Sequence, residues 1–182
     1  MRLFVGLELP TSLRHAVGEL RGSLPDVVWY PPESYHLTLH FIGEITQRPM
    51  LEDIHHALAA VRPALPTVSL TTPGLFESET RNGPDTLWAG VAADPALVQL
   101  QQKIRSALNR LLPSSARRGR RFVPHVTLGQ SLRTDPDQRQ RWLATPLPAT
   151  AGEQVTHFTL FQSLRNTDAP LYEPLEHYPL TF

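Results

Sequence analysis

The sequence predicts an α+β fold with two lobes, two mostly antiparallel sheets, helices packed outside and a central cleft. Three observations carry this expectation. Helical patterns occur singly, spaced through strand-like apolar runs, as in α+β proteins and not in helix bundles. The order of strands and helices in the first half of the chain is similar to that in the second. One short pattern, His-apolar-Thr-Leu, occurs at His36-Leu37-Thr38-Leu39 and again at His125-Val126-Thr127-Leu128, 89 residues later in a chain of 182. A single bilobal domain spanning 1–182 follows, with a pseudo-two-fold axis and one motif strand per lobe.

The elements can be justified in order. Arg2 to Leu9 reads as a buried strand that Pro10 ends. Thr11 or Ser12 can cap a helix with apolar positions Leu13, Val17, Leu20 and Leu24, closed by Pro25. Val27 to Tyr30 gives a short strand before the Pro31-Pro32 turn. The first motif strand runs from His36 to Ile42, ending at Gly43. Met50, Ile54, Leu58 and Val61 share one helical face, and Pro63 stops that helix. Val68 to Leu75 and Thr86 to Val91 read as strands around a polar turn containing Asn82-Gly83-Pro84. The strongest helical pattern is Leu97, Leu100, Ile104, Leu108 and Leu111, with Asp94-Pro95 as cap and first turn. The second motif strand spans His125 to Leu132. A polar helix from Pro136 to Leu143 and strands over Val155 to Leu164 and Leu175 to Phe182 complete the chain.

Composition sets bounds on function. The hydrophobic content of 41% is that of an ordinary folded protein. Zero formal net charge excludes a globally basic nucleic-acid coat, though not a local patch such as Arg117-Arg118-Gly119-Arg120-Arg121. The absence of cysteine removes disulfides, thiolate nucleophiles and cysteine–zinc sites, and is compatible with a cytoplasmic location. The apolar run near Met1 is short and carries Glu8, so neither a signal peptide nor a membrane span is expected.

In a strand, alternation puts His36 with Thr38, and His125 with Thr127, on one face, and sends the leucines to the other. Two histidines across a cleft can divide proton transfer, because imidazole titrates near working pH. One takes a proton from water and the other gives one to a leaving oxygen. The threonine hydroxyls can donate hydrogen bonds to the non-bridging oxygens of a phosphodiester. No metal, cofactor or protein nucleophile is required. A strained 2′,3′-cyclic phosphate with a ribose hydroxyl as leaving group suits such a site.

The chain resembles the 2H phosphoesterase superfamily, in particular its RNA 2′,3′-cyclic phosphodiesterase group, also called 2′-5′ RNA ligase or LigT-like. The resemblance rests on Arg2 to Pro10, His36 to Glu44, Arg121 to Leu128, Phe158 to Ser163 and Tyr172 to Leu175, in family order from end to end. It implies hydrolysis of RNA 2′,3′-cyclic phosphate ends to a 2′-phosphate, with His36 as proton donor to O3′ and His125 as base for the water. Run backwards with an RNA 5′-hydroxyl, the same chemistry makes a 2′-5′ linkage. The residues alone leave the acid and base assignment open. Relatives often carry an arginine five residues past the second motif histidine; here that position is Gln130. Arg121 and Arg133 are the candidates to supply the phosphate-binding charge instead.

Other residues complete the set of expectations. His40 is placed on the His36 face, as a rim or supporting residue. Phe41 shares parity with Leu37 and Leu39 and is expected in the core, while Tyr30 and Tyr35 are candidates to stack on a base. His157-Phe158-Thr159-Leu160 repeats the pattern a third time, with a structural or surface role expected. His55 and His56 are assigned to a solvated or partly buried face of the second helix. Competing functions are a metallohydrolase using His36, His40 and His125 as ligands, and an RNA-binding protein without catalysis. The expected partner is RNA with a 2′,3′-cyclic phosphate end, bound by a monomer and not at a membrane.

Overall fold

The computed structural model describes residues 1–112, 121–132, 134–164 and 170–180. Among the described residues ten strands and four α-helices follow one another: β1 Arg2–Glu8, α1 Thr11–Gly18, β2 Val27–Trp29, β3 His36–Glu44, α2 Arg48–Ala59, β4 Thr67–Val68, β5 Leu70–Phe76 and β6 Asp85–Val91. Then come α3 Pro95–Asn109, β7 His125–Ser131, α4 Pro136–Ala144, β8 Glu153–Gln154, β9 His157–Leu164 and β10 Leu171–Pro179. The α+β class is as expected. Two strand bounds shift: the last strand starts at Leu171 rather than Leu175, and the strand expected from Val155 starts at His157 as β9, with the short β8 ahead of it.

The strands form one continuous eight-stranded sheet in the order β10-β9-β1-β3-β7-β6-β5, with β2 added beside β7; β4 and β8 make a separate pair. All these pairings are antiparallel. The two expected halves are visible as β10-β9-β1-β3 and β7-β6-β5 with β2. In the sheet ladder they meet, among the described residues, through a single residue pair, Leu37↔Val126. Proline explains which strands lie at the edges. It cannot donate to a ladder, and Pro73 and Pro174 fall in the edge strands β5 and β10.

One sheet face carries the core. Val5, Leu7, Leu37, Leu39, Leu87, Ala89, Val126 and Leu128 join one buried cluster with Leu13 and Val17 of α1, Ile54 and Leu58 of α2, and Leu97, Leu100 and Ile104 of α3. Asp94 and Asp135 cap α3 and α4 by accepting from the amides of Leu97 and Gln138, a contact worth about 0.5–2 kcal/mol each. Neither Thr11 nor Ser12 caps α1; the N-cap is Pro10, without a side-chain bond. His55 of α2 bonds the Tyr178 hydroxyl of β10 at 2.6 Å, and His56 is exposed. Among the described residues no helix is long and apolar enough to cross a membrane.

Both motif strands carry a bulge at the same place. In β3, Thr38 pairs with Gly6 but His40 pairs with Val5, so Leu39 is an extra residue. In β7, Thr127 pairs with Trp88 but Gly129 pairs with Leu87, so Leu128 is extra. A bulge reverses the side-chain parity beyond it. The residues just past the leucine, His40 and Phe41 in β3 and Gly129 and Gln130 in β7, therefore face opposite to simple alternation.

Trp142 anchors α4 to the second half. It is fully buried, packs on Trp29 with ring centroids 5.9 Å apart, and donates to the Gly74 carbonyl at 2.7 Å. Trp142→Phe keeps most of the packing and strands that carbonyl, so urea unfolding should show a loss of about 1–3 kcal/mol. An unchanged midpoint would mean the bond contributes nothing.

Candidate active site

The Leu37↔Val126 pair brings the motifs together. Both side chains are fully buried in the core. The residues flanking each, His36 with Thr38 and His125 with Thr127, therefore project from the opposite face. Antiparallel order about the pair sets His36 towards Thr127 and Thr38 towards His125. The four predicted residues lie together, two from each half, all partly buried.

Each imidazole is held in the same way. His36 Nδ1–H donates to the Ser34 carbonyl at 2.8 Å, and His125 Nδ1–H donates to the Val123 carbonyl at 2.6 Å. With Nδ1 carrying the proton in the neutral ring, Nε2 is the nitrogen that keeps a lone pair in both. His36 Nε2 accepts from the Thr38 hydroxyl at 3.0 Å. Gly6 lets β1 approach the β3 backbone closely beside His36. A Cβ there would lie 2.9 Å from the Leu37 carbonyl oxygen and 3.6 Å from the imidazole.

Aromatic rings wall each histidine. His36 has Tyr172 at 4.7 Å, Phe4 at 4.8 Å and Phe161 at 5.8 Å between centroids. His125 has Phe76 at 4.9 Å and Trp88 at 5.6 Å. Burial among these rings disfavours the imidazolium and lowers the His36 pKa to about 4; the Ser34 carbonyl opposes the shift, and nearby His125 adds to it. Burial also lowers the His125 pKa, against the opposing bond to Val123. The sequence pointed to the histidines but not to these rings. A signal was present: Phe4, Phe161 and Trp88 occupy strand positions whose parity is that of the motif residues.

The bulges correct two expectations. Phe41 leaves the core, is 69% exposed, and lies on the His36 face with its ring 6.1 Å from Phe4. His40 moves the other way. It pairs with buried Val5 and turns towards α3, where burial and then Arg105 lower its pKa. His36, His40 and His125 therefore do not converge, which removes the ligand set of the metallohydrolase reading. In β7 the same device sends Gln130 to the histidine face, because it pairs with Thr86, two residues from Trp88.

The remaining candidates divide. Arg121 is exposed on the segment entering β7. Arg133 and the cluster residues Arg117, Arg118 and Arg120 lie outside the described residues. Tyr35 is buried at 2% exposure and has no face for a base, while Tyr30 packs partly buried against the core. His157 and Thr159 lie on β9, across β1 from the first motif strand.

Known proteins are similar to this chain in sequence and shape. A family model described as the 2′-5′ RNA ligase superfamily matches residues 9–174. An RNA 2′,3′-cyclic phosphodiesterase of Thermotoga maritima is 25% identical over 179 residues, covering 96% of this chain and 93% of that protein. One from Archaeoglobus fulgidus is 28% identical over 178 residues, covering 96% and 98%. The crystal structure of E. coli LigT in apo form aligns with a TM-score of 0.80 at 25% identity, covering 100% of this chain and 98% of that one. A structure from Thermus thermophilus aligns at 0.77 with 27% identity, covering 99% and 98%.

An NMR titration of the ligand-free protein tests the electrostatics of this face. His36 should keep a neutral imidazole down to about pH 4. Folding stability should fall as pH drops from 6.5 towards 4, because the unfolded chain binds a proton that folded His36 does not. A His36 midpoint at or above 6.5 would contradict the burial argument.

Proposed function

Because the chain belongs to the 2′-5′ RNA ligase superfamily, whose model covers residues 9–174, we propose that it hydrolyses RNA 2′,3′-cyclic phosphate ends to 2′-phosphates. The observation that carries this is the meeting of two His-x-Thr pairs on one sheet face about Leu37↔Val126. Relatives named RNA 2′,3′-cyclic phosphodiesterase, 25% and 28% identical over nearly the whole chain, support it.

The mechanism follows from the two Nε2 atoms. The cyclic phosphate sits between the histidines, and the Thr38 and Thr127 hydroxyls donate to its non-bridging oxygens. His125 Nε2 takes a proton from water as the water oxygen bonds to phosphorus. The bond from phosphorus to O3′ breaks, and His36 Nε2–H gives its proton to O3′. The phosphate remains on O2′. With an RNA 5′-hydroxyl in place of water, the same exchange of protons joins ends through a 2′-5′ linkage.

Desolvation of His36 has a purpose in this scheme. A ring that resists protonation when empty is a strong acid when it does carry a proton. The bound phosphate anion supplies the charge that favours the imidazolium, so the acid is armed with substrate in place. Phe41, exposed on the same face, offers a ring on which the adjoining base stacks. Gln130 faces the phosphate as a neutral hydrogen-bonding group, and Arg121 adds charge at the approach. Both halves contribute to the cleft, so residues 1–182 act as one bilobal domain and a monomer suffices.

Steady-state kinetics on a nucleoside 2′,3′-cyclic phosphate test the scheme. His36→Ala and His125→Ala should each lower kcat by about 10²–10⁴-fold, the range for lost acid–base catalysis. Near-full activity in either variant would remove the two-histidine mechanism. A noncatalytic RNA-binding protein would show no turnover to lose. The kcat/KM profile should be bell-shaped with its centre below pH 6.5, because both free-enzyme pKa values are lowered. A centre above about 7 would contradict that order.

A further inference from the structure

The third His-x-Thr copy is left over from the proposed reaction, and its surroundings are unlike those of the other two. His157 and Thr159 stand on β9, next to β1. The β1–β9 register runs from Arg2↔Ser163 to Gly6↔Thr159. Continued by two residues, it sets His157 across from Glu8. On the other side, Thr159 pairs with His177 of β10. Glu8 also pairs with His36 of β3, so all these side chains project from the histidine face.

Glu8 stands between the two histidines. One carboxylate oxygen is 3.8 Å from His157 Nε2, and the other is 3.8 Å from His177 Nδ1. These distances are too long for hydrogen bonds. The two imidazoles meet edge to face at 5.0 Å, and the three donor atoms all lie within 4.8 Å of one another. Among the described residues, no other group of three metal-capable side chains converges in this way.

We propose that Glu8, His157 and His177 form a binding site for a divalent transition-metal ion of the zinc class. Two imidazoles and one carboxylate are a recognised zinc donor set, with bonds of about 2.0–2.2 Å. An ion between the donors fills the gap that their 3.8 Å separations leave. Donors sharing one ion at such bond lengths lie roughly 3.3–3.6 Å apart, so side-chain rotation must draw these three, now within 4.8 Å, closer together, on three neighbouring strands that already bring them side by side. The donors are 35–53% exposed, so an ion can enter, and three protein ligands leave a position open to water or an anion. The buried Thr159 hydroxyl contacts the same nitrogen, His177 Nδ1, at 3.0 Å, so an ion bound at that nitrogen displaces this contact. The carboxylate argues for a cation and against a second phosphate here.

This site is independent of the proposed hydrolysis and uses none of its four residues. Its test is calorimetric titration of the untagged, chelator-stripped chain with zinc chloride. One equivalent should bind. Glu8→Gln, His157→Ala and His177→Ala should each weaken binding by at least the roughly 10–100-fold seen for groups behind metal ligands. His36→Ala should bind as the wild type does, with circular dichroism showing each variant folded. Absence of binding to the wild type would overturn the proposal. So would binding that survives the loss of both His157 and His177, or that disappears with His36. Turnover of a nucleoside 2′,3′-cyclic phosphate by the stripped chain reports the hydrolytic reading separately, so either reading can fail alone.

Discussion

The cleft depends on one cross-strand pair, Leu37 with Val126. It is the only register contact between β3 and β7, and so the only ladder contact joining the two halves of the sheet among the described residues. A single such pair stabilises by no more than about 0.2–1 kcal/mol. Its importance is geometric. Both side chains are fully buried in a core shared by α1, α2 and α3, and that core holds the pair in register. A slip of one residue would turn the motif side chains inward and the leucines outward. Core burial therefore fixes which residues of the two motifs confront each other, and the chemistry inherits its alignment from packing.

The bulges at Leu39 and Leu128 extend the same logic. Each motif strand must place His and Thr on the open face and leucine in the core, then bring a further side chain to the open face. Strict alternation cannot do that at a spacing of five. The extra residue reverses parity and delivers Phe41 in one half and Gln130 in the other. It also removes His40 to the helix side. The pseudo-symmetry of the halves thus includes a matched irregularity, while the side chains delivered differ: a ring for stacking in one half and an amide for hydrogen bonding in the other.

The degree to which the sequence discloses this arrangement varies with the physics behind each feature. The helices over Arg48–Ala59 and Pro95–Asn109 are legible because their apolar residues recur at helical spacing, and the aspartate cap of the second can be read directly. His36, Thr38, His125 and Thr127 are legible because a repeated pattern survives ignorance of the fold. Phe41 and His40 are not, because a bulge depends on the pairing partner and leaves little local trace. The walls around the histidines, Phe4 and Tyr172 on one side and Phe76 and Trp88 on the other, come from strands far apart in the chain. Only the strand order β10-β9-β1-β3 and β7-β6-β5 assembles them. The third His-x-Thr copy is visible as a pattern, but its partners Glu8 and His177 become evident only from register.

The central claim is that His36 protonates O3′ while His125 activates water, leaving phosphate on the 2′-oxygen. The most direct measurement is phosphorus NMR of the product formed from a nucleoside 2′,3′-cyclic phosphate by the chelator-stripped chain. The account predicts the nucleoside 2′-phosphate as the product. Formation of the 3′-phosphate would contradict it, because O2′ would then have been the leaving group.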